Sequence, residues 1–216
     1  MKTRYAFLAA VSALGIAPCT SDAQTRPTWD VGLQVMSTTS GSTPDLFFGG
    51  QAIGIRQRAL GIKASTDLLR AGPLHLRYSA QLLPAVFLTG VEHYRSLAFG
   101  DQPVYVIGGT GAAYGVGFSP IGLDAAVDLG HRVRAQVGAA AGILRFSQHI
   151  PTAAGNRTNF SAEWESMLLF NAGADRWLHL GLRWKHISNG FTAFENPGFD
   201  NRMIVAGFST RIGRTR

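Results

Sequence analysis

The densest chemistry-bearing stretch of the chain runs from Trp184 to Asn201 and reads Trp-Lys-His-Ile-Ser-Asn-Gly-Phe-Thr-Ala-Phe-Glu-Asn-Pro-Gly-Phe-Asp-Asn. His186 and Ser188 are two residues apart, so on an extended strand their side chains point to one face. That face continues the apolar stripe Leu178, Leu180, Leu182 and Trp184, and Asp200 has the parity of Ile204 and Phe208 on the next strand. A hydroxyl, an imidazole and a carboxylate gathered in this way meet the needs of an activated serine. The imidazole takes the hydroxyl proton, and the carboxylate holds its tautomer and stabilises the imidazolium. Asn189 offers a side-chain or backbone donor to a developing oxyanion. Glu195, just before Asn196, is a second candidate for the acid. If the stripe faces lipid, three polar groups at its end would be costly without a purpose.

The remaining polar residues have plainer readings. Glu92-His93 and His149 are expected in long loops, where solvated side chains are ordinary. His75, His131 and His179 are dispersed and show no metal-ligand spacing. The Gly108-Gly109-x-Gly111 cluster has no following helix to make a phosphate loop. Glu163 and Glu165 share parity with Arg183 and Lys185 on neighbouring strands, which suits ion pairs filling the inside of a barrel. Trp29, Trp164, Trp177 and Trp184 fall near expected strand ends, as in an interfacial aromatic girdle.

The elements that must position these groups are strands. No sustained 3.6-residue apolar period occurs, and period-two alternation recurs instead. It marks eight segments, near 28–37, 51–66, 74–87, 112–127, 132–146, 159–173, 177–187 and 200–213. Alternation is cleanest in the first, seventh and eighth, and is blurred by Gly and Ala in the middle. Links after the second, fourth and sixth segments are short. Those after the first, third, fifth and seventh, at 38–50, 88–111, 147–158 and 188–199, are long. An even-stranded meander with short turns at one end and long loops at the other describes an all-β, eight-stranded antiparallel transmembrane barrel of a bacterial outer membrane. A soluble lipocalin-like barrel is the rival architecture, with its apolar side chains turned inward. Many bacterial outer-membrane barrels finish on an aromatic residue. This chain ends Ile212-Gly213-Arg214-Thr215-Arg216, with Phe208 the nearest aromatic.

Composition agrees with an exported, lipid-facing protein. Of 216 residues 46% are hydrophobic and only 15% charged, which argues against disorder and coiled coil. The 26 glycines follow no collagen period, and a single cysteine excludes a disulfide framework or a thiolate metal site. Residues 1–23 read as a signal peptide: Lys2 and Arg4, an apolar core from Tyr5 to Ala17, and small Ser21 and Ala23 before the cleavage point. Pro18 before Cys19 fits a lipoprotein signal badly. The barrel domain is then 24–216, with 18 basic against 12 acidic residues and no cysteine. That balance suits an anionic lipid partner better than nucleic acid, for which no basic run with interleaved aromatics is present.

The pattern His186-x-Ser188-Asn189 followed by Asn196-Pro197-Gly198-x-Asp200 resembles the PagL-type lipid A 3-O-deacylases. The resemblance implies an eight-stranded outer-membrane barrel that hydrolyses the 3-position acyl ester of lipid A. His186 would be the general base, Ser188 the nucleophile, and Asn189 an oxyanion contributor with Gly190 and Asn196 beside it. Asp200 lies fourteen residues after the histidine, where the family's acid is found, although that acid is glutamate in the best-known case. The family often has Ala-Gly after the asparagine, and here Gly190-Phe191 keeps only the small first residue. No metal or other cofactor is implied. The partners implied are lipopolysaccharide as substrate and the surrounding membrane, and a homodimer is an assembly the resemblance permits. Two other functions fit the same strands: a non-catalytic small barrel in adhesion or envelope structure, and a secreted binder of the lipocalin type.

Overall fold

The computed structural model describes residues 28–41, 54–99, 102–194, 196 and 198–213, so the expected signal peptide at 1–23 and Glu195 lie outside the described residues. Eight strands follow in chain order: β1 (Trp29–Thr38), β2 (Arg56–Ala71), β3 (Leu74–Phe99), β4 (Gln102–Asp128), β5 (Val133–Ile150), β6 (Asn156–Gly173), β7 (Arg176–Ser188) and β8 (Phe199–Ile212). Each pairs antiparallel with its neighbour, and β8 returns to β1 from Trp29↔Ile212 to Thr38↔Met203. Closure pairs the strands on both sides around the wall, the condition for crossing a bilayer with strands, while among the described residues β3 beyond Thr89 and β4 before Gly115 pair only with each other.

Two expected loops are strand. β3 continues to Phe99 and β4 begins at Gln102, the two paired from Thr89↔Ala112 out to Phe99↔Gln102. Glu92 and His93 therefore belong to β3, with Glu92 opposite Thr110. The glycines and Pro103 that argued for a loop are taken up by register shifts at Thr89/Val91 and Glu92/Tyr94, and by a proline placed near the start of β4. His149 likewise lies in β5, which leaves only 151–155 before β6. At the opposite end the turns are as short as expected. Residues 72–73 join β2 to β3, and 174–175 join β6 to β7.

The face assignment decides between the two barrel types. Leu178, Leu180 and Leu182 of β7 are 53%, 53% and 61% exposed, and Val116, Phe118, Ile143, Ile204 and Phe208 join them on the outside. Apolar side chains turned outward suit lipid as the surrounding solvent, which is the reverse of a lipocalin.

Two of the layers that fill the inside lie along β7 and β8 near the site. In the first, Arg183 is bonded to Glu165 and lies 3.3 Å from Glu163, while Lys185 Nζ is 3.3 Å from Glu163 Oε2. These are the ion pairs expected from parity. Lys63 extends the network to Glu165 at 2.5 Å and Asp124 at 2.9 Å, and Arg183 also donates to Gln34 and Gln81. The cavity left among these groups is about 10 Å³, the space of a single water. The second layer is apolar and backs the ends of β7 and β8. There Ile187 and Phe199 are cross-strand partners, both fully buried, in one cluster with Leu83, Leu88, Phe146 and Met203. Phe199→Ala is expected to lower stability by about 3–5 kcal/mol, since it opens a cavity in that layer. Denaturant unfolding in micelles measures it.

Candidate active site

β7 and β8 bring the expected groups together by register. His186 is the direct partner of Asp200, and its Nδ1 lies 2.8 Å from Asp200 Oδ1. Ser188 ends β7 one same-face step beyond His186 and pairs with Phe160 of β6. The three side chains share the outward parity of Leu182 and Ile204, which places them at the upper end of the lipid-facing wall.

Parity alone would leave these groups open to the surroundings, yet His186 is only 6% and Asp200 only 1% exposed. The link after β7 folds back over them. Asn196 reaches back seven residues, its Oδ1 accepting the Asn189 N–H at 2.8 Å. Gly198 then rests on the imidazole. A Cβ at this position would sit 2.9 Å from His186 Cε1, 3.4 Å from Nε2 and 3.4 Å from Ser188 Cβ. The Nε2 edge and the serine side chain thus converge on one small space, which only a glycine leaves open. Sequence reasoning noted Gly198 as part of a motif but could not assign it this contact.

Asn189 and Gly190 form the turn that starts the fold-back. The Asn189 carbonyl accepts the Thr192 N–H at 3.2 Å and its Oγ1 at 2.7 Å. Between them Gly190 (φ 64°) and Phe191 (φ 62°) both take the left-handed conformation, as a type I′ turn demands. Gly190 also meets Phe160, whose ring would lie 3.0 Å from an added Cβ. Phe191 holds a conformation costing about 1–2 kcal/mol in a side-chain-bearing residue. Its ring is 84% exposed, close to the 96% of Phe194. Asn196 thus occupies the backbone N–H of Asn189 and fixes that residue, itself buried, against the end of β7.

Below the histidine lies an aromatic stack. Trp184 is nearly parallel to the imidazole at 6.4 Å and stacks on Trp164 at 5.0 Å. Trp164 and Trp184 are cross-strand partners well inside β6 and β7, so they support the site from within the wall and do not mark strand ends. Trp29 and Trp177 do lie at strand ends, as expected.

The family model described as lipid A 3-O-deacylase (PagL) matches residues 75–209, from the start of β3 to near the end of β8. The chain belongs to the PagL family. The crystal structure of the outer membrane enzyme PagL superposes with a TM-score of 0.53 at 15% identity, covering 82% of this chain and 97% of that one, so the two share a fold. Neisserial surface protein A (TM-score 0.42, 12% identity, 85% and 96% covered) and the attachment invasion locus protein Ail of Yersinia pestis (0.40, 10%, 86% and 99%) are more distant. No curated protein matches the chain. As a PagL family member with an outward apolar wall, the protein is an outer-membrane β-barrel.

Proposed function

We propose that this chain is a serine esterase that removes the 3-position acyl chain of lipid A in the outer leaflet. The observation that carries this reading is the bonded His186–Asp200 pair with Ser188 one step away on the lipid-facing wall. If both termini lie in the periplasm, odd-numbered strands run outward, and the end of β7 stands at the outer-leaflet level. A site there meets lipopolysaccharide without extracting it from the membrane.

The chemistry follows from the geometry. Asp200 accepts the Nδ1 proton of His186, which makes Nε2 the basic nitrogen of the ring. Nε2 takes the Ser188 proton as Oγ attacks the ester carbonyl. The oxyanion is stabilised by the polar turn at Asn189 and Gly190. The imidazolium then protonates the departing sugar oxygen at position 3, leaving an acyl-serine. Water, deprotonated by His186, hydrolyses that ester and releases the fatty acid with Ser188 restored. Asn196 acts through Asn189, and Gly190 through the turn, as positioning residues.

Gly198→Ala is expected to lower kcat by about 100-fold. The new Cβ displaces the imidazole by part of an ångström, and alignment errors of that order cost this much. Initial-rate kinetics on purified lipid A measures it, with heat-modified migration of the barrel as the folding control. The function itself is tested by mass spectrometry of lipid A from cells with and without the chain. Loss of one 3-linked acyl mass is expected; lipid A identical in the two would sink the reading and favour a non-catalytic barrel.

A further inference from the structure

The charged residues of this barrel sort by face. Arg77, Arg134, Arg183 and Arg211 each meet a carboxylate at 3.2 Å or closer. Arg202, Arg56 and Arg58 differ: they share the outward parity of Ile204, Leu60 and Ile62, are exposed, and have no carboxylate partner among the described residues. An arginine on a lipid-facing wall is costly unless an anion meets it.

These three are close together and close to the site. Arg202 is the cross-strand partner of Trp184, one same-face step along β8 from Asp200. On its other side the Arg202 carbonyl accepts the N–H of Thr39 at 3.0 Å and its Oγ1 at 3.2 Å. Arg58 is the partner of Ser37, which in turn pairs with Ile204, and Arg56 lies two residues nearer the rim. Arg202 and the β2 arginines therefore flank β1 at about two inter-strand spacings, roughly 10 Å. Between them on this side stand Ser37 of β1 and Thr39 just beyond its end, small and hydroxyl-bearing.

We propose that Arg202, Arg56 and Arg58 form a phosphate-binding subsite on the outer wall, which holds the phosphate borne by the substrate's sugar while its 3-linked ester lies at Ser188. This rests on the deacylase reading above and adds to it a specificity determinant. Guanidinium groups suit the task, because their planar fork matches phosphate oxygens and stays charged at any working pH. The subsite lies beside His186 and Asp200, along the wall from them, so a sugar anchored by its phosphate presents its neighbouring ester sideways to the serine. Phosphorylated substrate is thereby selected over neutral acyl esters in the same leaflet.

The test separates binding from turnover. Full-length protein carrying Ser188→Ala is folded in micelles and titrated with lipid A, with enzymatically dephosphorylated lipid A, and with phosphatidylglycerol. Lipid A is expected to bind about tenfold or more tighter than its dephosphorylated form. Adding Arg202→Gln should shrink that ratio to about twofold, with Arg202→Lys restoring part of it. Arg145→Gln removes the same charge from β5, where Arg145 bonds Thr158, and should leave the ratio as it was. If Arg202→Gln fails to give a folded barrel, Arg56→Gln carries the same test. A preference for phosphate that survives these glutamine changes would overturn the proposal. So would phosphatidylglycerol displacing lipid A at equal concentration, which would make the patch a general anionic-lipid rim. Failure of the deacylase reading shows separately, as wild-type protein that binds lipid A but leaves its 3-linked chain in place.

Discussion

Replacing Ser188 by alanine should reduce lipid A deacylation by about 10⁴-fold or more while leaving a folded, membrane-inserted barrel. The expectation rests on what the change removes and what it leaves. Ser188 is the last residue of β7 and only partly buried, with its ladder partner Phe160 holding it through the backbone. Deleting one oxygen there opens no internal cavity, so stability should move by no more than about 0.5 kcal/mol. The reaction, by contrast, loses the hydroxyl one same-face step from His186, and no cysteine in the barrel domain can substitute. Residual activity would come from His186 directing a water and from oxyanion stabilisation alone. Mass spectrometry of lipid A from expressing cells reads the loss; normal activity in the variant would remove Ser188 from the mechanism.

Asp200→Asn is the second large effect, with kcat expected to fall by about 10³–10⁴-fold and KM to change little. The carboxylate accepts a proton from Nδ1 at 2.8 Å and so leaves Nε2 as the base. An asparagine can turn its NH₂ towards Nδ1, which then becomes the acceptor. The proton moves to Nε2, and the edge facing Ser188 can no longer receive one. A loss confined to kcat distinguishes this from a binding defect, because Asp200 is too buried to reach substrate. Asp200→Glu supplies the longer acid known in the family and should retain more activity than the asparagine variant. Overpacking at a position only 1% exposed would still cost about 1–3 kcal/mol of stability. Equal kcat in wild type and Asp200→Asn would show that another group orients the imidazole.

Much of this arrangement is legible in the chain because a strand has a strict period of two. Alternation in β7 and β8 is enough to put His186 and Asp200 on one face, and the antiparallel return places them opposite each other. The same parity foretells the inward meeting of Glu163 and Glu165 with Arg183 and Lys185. Legibility fails where local composition and long-range pairing disagree. The 88–111 stretch carries Pro103 and several glycines and reads as a loop, yet each half gains a ladder partner in the other, and the pairing prevails. It fails again where a loop folds back on a strand. Nothing local ties Gly198 to His186, or Asn196 Oδ1 to the N–H of Asn189, because those contacts depend on a turn through Gly190 and Phe191. The outer-wall arginines, taken singly, are unremarkable in sequence. Only the register across β8, β1 and β2 gathers them.

The packed interior has a consequence for the cell that carries this protein. With a salt-bridged layer below, an apolar layer above and a void of about 10 Å³ among the charged groups, the described part of the lumen offers no aqueous path from one side to the other. Reconstituted in a planar bilayer, the barrel should show baseline conductance. The envelope can therefore hold many copies without becoming leaky to dyes, detergents or antibiotics. Remodelling of the surface lipid is decoupled from the integrity of the permeability barrier in which it takes place.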